Sequence, residues 1–387
     1  MSGWSRPAGK AAVSASSLRV AVASVGDPES PDTWSGITAG VLGALRELGV
    51  TARGLDLTLA PGFEQALLAA SALPTRNRYD AHGSALTMSV RSRLARRYLA
   101  GAQIDGVIQI GTNFALPESI PYVTLEDMTL RQGIAVHPVF SRMSASVVAG
   151  WEKRRAGIYG RARMCTAASH WAARSLREDY GLASERVAVV GFGANHQAFP
   201  GARAWRPPRY LFVGVDWERK GGPLLLRAFS RVREVHPDAV LDLVGGHPAL
   251  HQPGVNAHGM LSQTQTQARD LLVELYERAT CLVMPSLVEP FGIVYAEAAA
   301  AGIPSIVSAE GGAREVIGES GGMVVGPGDE HGLVEAMLRL ADPDIARGMG
   351  EAAIERSTLF TWPRVSERLV RALGLPAPGG RAPAGFL

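Results

Sequence analysis

Met284-Pro285-Ser286-Leu287-Val288-Glu289-Pro290-Phe291-Gly292-Ile293-Val294-Tyr295-Ala296-Glu297 is the stretch that decides the reading of this chain. An apolar run ends at Met284-Pro285-Ser286, and small residues then read as a helix over 291–301, stopped by Gly302-Ile303-Pro304. Pro290 suits the first helical position, because its missing N–H would be unpaired there anyway. Glu289 then stands at the helix mouth, and at 1.5 Å per residue Glu297 follows it by roughly 12 Å along the axis. Two carboxylates that far apart cannot serve one reacting atom. They can hold the two ends of one ligand.

A nucleotide sugar has that shape, with hexose hydroxyls at one end, ribose hydroxyls at the other and a diphosphate between. The amides of Phe291, Gly292 and Ile293, with the positive end of the helix dipole, would meet the diphosphate, and Gly292 lets the backbone approach closely. For an arbitrary pair of glutamates, a helix cap and a solvated helix position would suffice. Here Glu297 lies inside Val294-Tyr295-Ala296-Glu297-Ala298-Ala299-Ala300, where an unpartnered carboxylate is costly to bury, so a partner is expected and a pair of sugar hydroxyls would serve.

Working outward, the 387 residues suit two domains, and a hydrophobic content of 47% is ample for burial. No apolar run reaches the roughly 18 to 20 residues of a membrane span, and 1–17 lacks the apolar core of a secretory signal, so a cytoplasmic location is expected. Cys165 and Cys281 fall in different expected domains and read as reduced, buried thiols. A net charge of +3 argues against bulk nucleic-acid binding. Residues 1–200 carry 21 Lys plus Arg against 15 Asp plus Glu, a balance of +6, and the remainder carries 18 against 21, a balance of −3. Lysine occurs only at Lys10, Lys153 and Lys220.

Strand-like and helical segments alternate, which is the pattern of α/β domains with parallel sheets. Strands are expected at 18–25, 54–57, 105–110, 121–125, 164–168 and 186–190. After a linker at 193–208 they resume at 209–213, 240–244, 281–284, 305–308 and 323–325. Two Rossmann-like halves with a cleft between them follow, and ligands bind such sheets beyond the carboxyl ends of the strands. Gly214-Val215-Asp216-Trp217-Glu218-Arg219-Lys220-Gly221-Gly222 is a charged turn after one strand, where a cation would face a leaving diphosphate. Trp34-Ser35-Gly36 opens an N-terminal helix, and Gly311-Gly312-Ala313-Arg314-Glu315 is a further glycine turn; caps alone would explain either.

Together these segments resemble glycosyltransferase family 4, the retaining, nucleotide-sugar-dependent enzymes of the GT-B fold, over essentially 18–373. Pro285 to Glu297 with Gly302-Ile303-Pro304, Gly311-Gly312 and Gly321-Gly322 is the most specific part, and Phe212 to Gly221 is a second match. The resemblance implies an N-terminal acceptor domain over 18–195, a donor domain over 209–355, and an element over 356–374 that crosses back to the first domain; the leader 1–17 and the tail 375–387 read as disordered from their own sequence. The resemblance also implies that Glu289 contacts the donor hexose, Glu297 the ribose hydroxyls and Lys220 the diphosphate. Gly36 would approach the diphosphate from the N-terminal domain, and Met260 and Leu261 would hold the nucleobase. Where the family commonly has Arg after its counterpart of Gly214, this chain has Val215, and Arg219 is expected to supply the cation. Where the family often has a histidine after strand 121–125, this chain has Glu126-Asp127, and one of these carboxylates takes the polar role.

The expected activity is transfer of a hexose-type sugar to an acceptor hydroxyl, with Glu289, Lys220 and Asp127 in the catalytic roles. No Asp-x-Asp pair follows a strand, so neither a metal nor any other cofactor is expected beyond the donor, and Lys220, Arg219 and helix amides would neutralise the diphosphate. Arg91 to Leu99 is a cationic stretch that a lipid-linked or anionic acceptor at a membrane surface would use, or else a solvated helix face. A glycan or small-molecule acceptor fits equally. The alternatives on the same fold are a nucleotide-sugar epimerase, a phosphorylase, and a catalytically silent nucleotide-binding or regulatory subunit.

Overall fold

The computed structural model describes residues 18–70, 84–136, 143, 145–197, 199, 201, 203–378 and 384–387. Its first half builds a six-stranded sheet from β1 (Arg19–Ser24), β2 (Thr51–Asp56), β3 (Gly106–Ile110), β4 (Tyr122–Glu126), β5 (Met164–Ala167) and β6 (Val187–Val189). The second half builds another from β7 (Arg209–Gly214), β8 (Val240–Gly245), β9 (Val255–Gly259), β10 (Cys281–Met284), β11 (Ser305–Ser308) and β12 (Gly322–Val325). The strand orders are β2-β1-β3-β4-β5-β6 and β12-β11-β10-β7-β8-β9, and every pairing is parallel. Helices cover both faces of such sheets, so central strands are buried throughout rather than alternately; all five residues of β3 and of β4 are buried, Gln109, Thr124 and Glu126 among them.

In the second sheet the strand order reverses between β7 and β10. A doubly wound sheet opens a crevice at such a reversal, beyond the carboxyl ends of the strands. The two turns that leave there are the turn from β7 into α7 (Gly222–Val235) and the turn from β10 into α9 (Ile293–Ala300). The chain order thus brings together two sequence motifs about 70 residues apart.

The remaining helices named below are α1 (Ile37–Glu47), α3 (Ala85–Leu99), α5 (Ala145–Arg161), α6 (His170–Glu178), α8 (Thr266–Arg278), α10 (Ala313–Ile317), α12 (Pro343–Ser357) and α13 (Trp362–Ala372). Helix α13 returns to the first domain. Its Ser366 hydroxyl donates to the Val41 carbonyl at 3.4 Å, and Trp362 lies so close over α1 that a Cβ on Gly40 would sit 2.2 Å from its ring. Arg368, 2% exposed, is held by the carbonyls of Val190 (2.8 Å) and Leu359 (3.1 Å).

Three expectations need correction. Residues 384–387 of the expected disordered tail are docked: the Leu387 N–H donates to the Val189 carbonyl at 3.0 Å on edge strand β6, and Arg371 lies over the Phe386 ring. Arginines on α13 give this apolar end a seat that composition does not reveal. The cationic stretch is also not a uniform face, since Arg91 is fully buried in α3 while Arg93, Arg96 and Arg97 are exposed. Third, strand β9 was not foreseen. The expected leader, 1–17, lies outside the described residues. Cys165 and Cys281 are free and buried, and no described helix is long and apolar enough to cross a membrane.

Candidate active site

The turn after β7 is shaped by its own carboxylate. Asp216 accepts from the Arg219 backbone N–H and from its Nε, both at 3.2 Å, and the Lys220 N–H donates to the Asp216 carbonyl. Gly221 then caps α7 at φ 78°, in the left-handed region, and a Cβ there would meet the Pro285 carbonyl at 2.2 Å. That close approach laces the two switch-point turns together: the Leu287 N–H donates to the Arg219 carbonyl (2.8 Å), and Arg219 Nη1 reaches the Val288 carbonyl (3.4 Å). Lys220 Nζ consequently meets Glu289 Oε2 as an ion pair, with side chains 14% and 5% exposed. Ser286 adds a donor to the same oxygen at 3.3 Å, and the Glu289 backbone is fixed on both sides by Glu310 and Gly312.

Helix α9 starts later than the sequence reading expects. Pro290 is not the first helical residue; Gly292 is the cap, at φ 78° and ψ 87°, and Ile293 begins the helix. Proline at 290 was a plausible start, but the left-handed cap that only glycine adopts cheaply lies two residues further on, and a Cβ there would meet the Tyr295 ring at 2.5 Å. Among the expected diphosphate contacts, Ile293 keeps the first-turn position, while the Phe291 side chain is 2% exposed and packs edge-on to Phe192 and Phe360. No side chain caps the N-terminus of α9, which leaves its first amides available.

Glu297 is 4% exposed, and the partner its burial demanded is the Tyr276 hydroxyl at 2.8 Å, supplied by α8. Burial raises its carboxyl from 4.5 to about 7, while Tyr276 and the amides of Asn195 pull the other way.

The first domain supplies the opposite wall. Trp34 (φ 50°) and Ser35 (φ 55°) are left-handed without being glycine, and Gly36 (φ 82°) completes the turn that caps α1. Trp34 Nε1 donates to the Val25 carbonyl and Asn195 Nδ2 to the Ser35 carbonyl, both at 3.0 Å, which hold the turn. Ser35 and Ile37 line the cleft; Gly36 between them is buried, and a Cβ on it would meet the Asn195 side chain at 2.9 Å. Asp127, after β4, lines the cleft, and its carboxyl is raised by burial and by Glu289 opposite, with Arg219 and local amides pulling it down. Glu126 is buried behind it, pushed to about 7 by desolvation against the pull of Arg155. Asp127 rather than Glu126 therefore faces the ligand space.

The two walls enclose a cavity of about 860 Å³ lined by Asp127, Arg219, Lys220, Met260, Leu261, Glu289, Phe291, Gly292, Ile293 and Glu297 among others. Asp32 closes one rim by accepting from Ser262 Oγ and the Gln263 N–H, each at 3.0 Å. On another side Ser169 donates to the Pro290 carbonyl (3.1 Å), and Glu315 accepts from the first amides of α6, His170 (2.6 Å) and Trp171 (2.9 Å). Asp32, Asn195 and Tyr276 escaped the sequence reading, and Ser35 was read only as part of the turn before α1. Asp32 stands just before the noted Trp34-Ser35-Gly36 turn and could have been found; Tyr276 carries no local signal.

Residues 207–342 match a family profile described as "Glycosyl transferases group 1". Curated relatives include a D-inositol 3-phosphate glycosyltransferase of Nocardiopsis dassonvillei, 28% identical over 227 residues, covering 51% of this chain and 52% of that protein. A glycogen synthase of Mycobacterium tuberculosis is 31% identical over 227 residues, covering 54% and 53%. The chain spans about half the length of these relatives. Among solved structures, a sucrose-phosphate synthase from Thermosynechococcus elongatus superposes with a TM-score of 0.71 at 21% identity, covering 92% of this chain and 98% of that one. WaaG, a glycosyltransferase involved in lipopolysaccharide biosynthesis, gives 0.63 at 15% identity, covering 90% and 99%. The described chain thus has the GT-B fold, and residues 207–342 of its second domain are similar to the group 1 glycosyl transferases.

Proposed function

We propose that the protein is a retaining glycosyltransferase of family 4 that moves a hexose-type sugar from a nucleoside diphosphate sugar to an acceptor hydroxyl. One observation carries the reading: one interdomain cavity is lined by the Lys220–Glu289 ion pair, the open N-terminus of α9 and buried Glu297, groups suited to a sugar, a diphosphate and a ribose. Lys220, with Arg219 and the α9 amides, opposes the negative charge that grows on the departing diphosphate, without a metal. Glu289 orients the hexose, Glu297 takes the ribose hydroxyls, Met260 and Leu261 flank the base, and Asp127 faces the sugar from the acceptor domain. Burial of the Lys220–Glu289 pair makes its electrostatics stronger than those of an exposed pair. The names of the matched relatives support sugar transfer as the activity. The reading carries a cytoplasmic location, with the exposed Arg93, Arg96 and Arg97 of α3 available to an anionic membrane surface.

The test is release of nucleoside diphosphate from UDP-, GDP-, ADP- and dTDP-glucose, by the full chain and by Lys220→Met. Slow hydrolysis of one donor that the substitution abolishes supports the proposal. Binding of a nucleotide sugar with no release under any acceptor would instead favour a catalytically silent nucleotide-binding subunit.

A further inference from the structure

Strand β9 ends in a bulge. Its pairing with β8 slips between Leu243 and Val244, so that Val244 lies opposite Gly259 and His258 is passed over. His258 instead donates from Nε2 to buried Asp242 at 3.0 Å. Gly259 leaves the strand at φ 69°, and Met260 and Leu261 then line the cleft. Met260 is 62% exposed, so packing does little to fix it, and this two-residue stretch depends on how its ends are held. The far end is pinned from the first domain, where Asp32 accepts from Ser262 Oγ and the Gln263 N–H. The near end is pinned by a side chain from the turn after β8. The Gly259 N–H donates to His247 Nε2 at 3.1 Å, and His247 Nδ1 lies 2.8 Å from the Pro248 carbonyl. A backbone N–H only donates and a carbonyl only accepts, so these partners assign the ring its neutral form with the proton on Nδ1. A proton on Nε2 would set one N–H against another. The ring is also seated on the turn after β7: a Cβ on Gly245 or Gly246 would meet the Gly214 carbonyl at 1.9 Å or the Val215 carbonyl at 2.4 Å, and Trp217 stands edge-on to His247 with ring centroids 6.4 Å apart.

Resting on the nucleotide-sugar reading of the cleft, we propose that His247 is a positioning residue for the nucleobase: by accepting from the Gly259 N–H it sets where Met260 and Leu261 meet the base. The role requires a hydrogen-bond acceptor at the place of Nε2. Glutamine brings its amide oxygen to that place, whereas asparagine, one carbon shorter, reaches only the place of Nδ1 and keeps at most the contact with Pro248. The two substitutions therefore separate the pin on Gly259 from the rest of what the ring does.

The experiment uses the full chain above neutral pH. It combines ring NMR of 15N-labelled histidine, with the His247 signals assigned by their loss in His247→Gln, and affinities for UDP, GDP, ADP and dTDP, with inorganic pyrophosphate as the probe that lacks a base. The parent should show His247 protonated on Nδ1 alone. His247→Asn should bind the preferred nucleoside diphosphate about fivefold more weakly, the worth of one hydrogen bond, leave pyrophosphate binding unchanged and quicken exchange of the Gly259 amide. His247→Gln should restore most of the nucleotide affinity. A ring protonated on Nε2 overturns the proposal, as does a loss that pyrophosphate shares equally or that His247→Gln does not restore. Should His247→Asn not fold, the tautomer in the parent and the affinities of His247→Gln carry the same test. If the parent binds none of the four nucleotides, the donor reading fails, and the pin on Gly259 stands or falls by the tautomer and the amide exchange. If the parent binds one and His247→Asn binds it equally, the positioning role alone fails.

Discussion

Replacing Glu297 by Gln should stabilise the protein above neutral pH while damaging donor binding. Burial lifts this carboxyl from 4.5 to about 7 in the folded chain, and the unfolded chain titrates near the ordinary value. Between those two pH values the folded state keeps a proton that the unfolded state has released. The contribution of Glu297 to stability is thus fully present below about 4.5 and is lost as the pH rises through about 7. At about 1.4 kcal/mol per pH unit, the loss above neutrality amounts to about 3 kcal/mol. Glu126, also raised to about 7 by desolvation, imposes a similar loss that is common to both proteins and cancels in the comparison. Glutamine carries no charge and still offers an oxygen to the Tyr276 hydroxyl. The advantage of Glu297→Gln should grow from near zero at pH 4.5 to about 3 kcal/mol at pH 8, or roughly 6 to 12 °C in Tm for a domain of this size. Calorimetric melting at the two pH values reads it directly. Donor nucleotide should bind at least tenfold more weakly to the variant at pH 8, since hydrogen bonds to a charged acceptor are worth about 1.5 to 3 kcal/mol. A variant no better stabilised at pH 8 than at pH 4.5 would show that Glu297 ionises freely, and the buried-carboxylate argument would fall.

Three further substitutions probe the parts of the cleft separately. Lys220→Met strands the Glu289 carboxylate in a site only 5% exposed and should cost about 3 to 5 kcal/mol; adding Glu289→Gln should restore most of the stability, by chemical denaturation, but no donor turnover. Gly292→Ala forces φ 78° on a residue whose Cβ would collide with Tyr295, so a loss of about 1 to 3 kcal/mol is expected, with a mispositioned α9 visible as weaker nucleotide binding. Asp32→Ala removes two hydrogen bonds that join the domains at an exposed rim; the donor KM should rise about fivefold, and small-angle scattering should show a more open particle.

How far the sequence could be read depends on how local each signal is. Strand-helix alternation and short, mostly apolar strands such as 106–110 announced the parallel sheets, because helices covering both faces leave no solvated side to alternate with. The two switch-point turns were legible as motifs because glycines, a rare lysine and paired glutamates stand close together in the chain. The start of α9 was misplaced by two residues: proline and glycine both punctuate helices, and only the geometry around Tyr295 chooses between them. Tyr276 and Asn195 act across 21 and 160 residues of sequence, and nothing local marks them, whereas Asp32 acts across 230 residues from beside a turn that the sequence does mark. Docking of Gly385 to Leu387 was invisible for a related reason, since the seat is made by Arg368, Arg371 and the edge of β6.

The central claim is that Glu289 and Glu297 grip the two ends of one nucleotide sugar. A crystal structure of the full chain with the nucleotide sugar that most raises its melting temperature tests this most directly. The account predicts the diphosphate against Lys220 and the first amides of α9, the ribose hydroxyls on Glu297 and the hexose beside Glu289. A nucleotide bound away from α9, or bound there with Glu297 still holding only Tyr276, would contradict it.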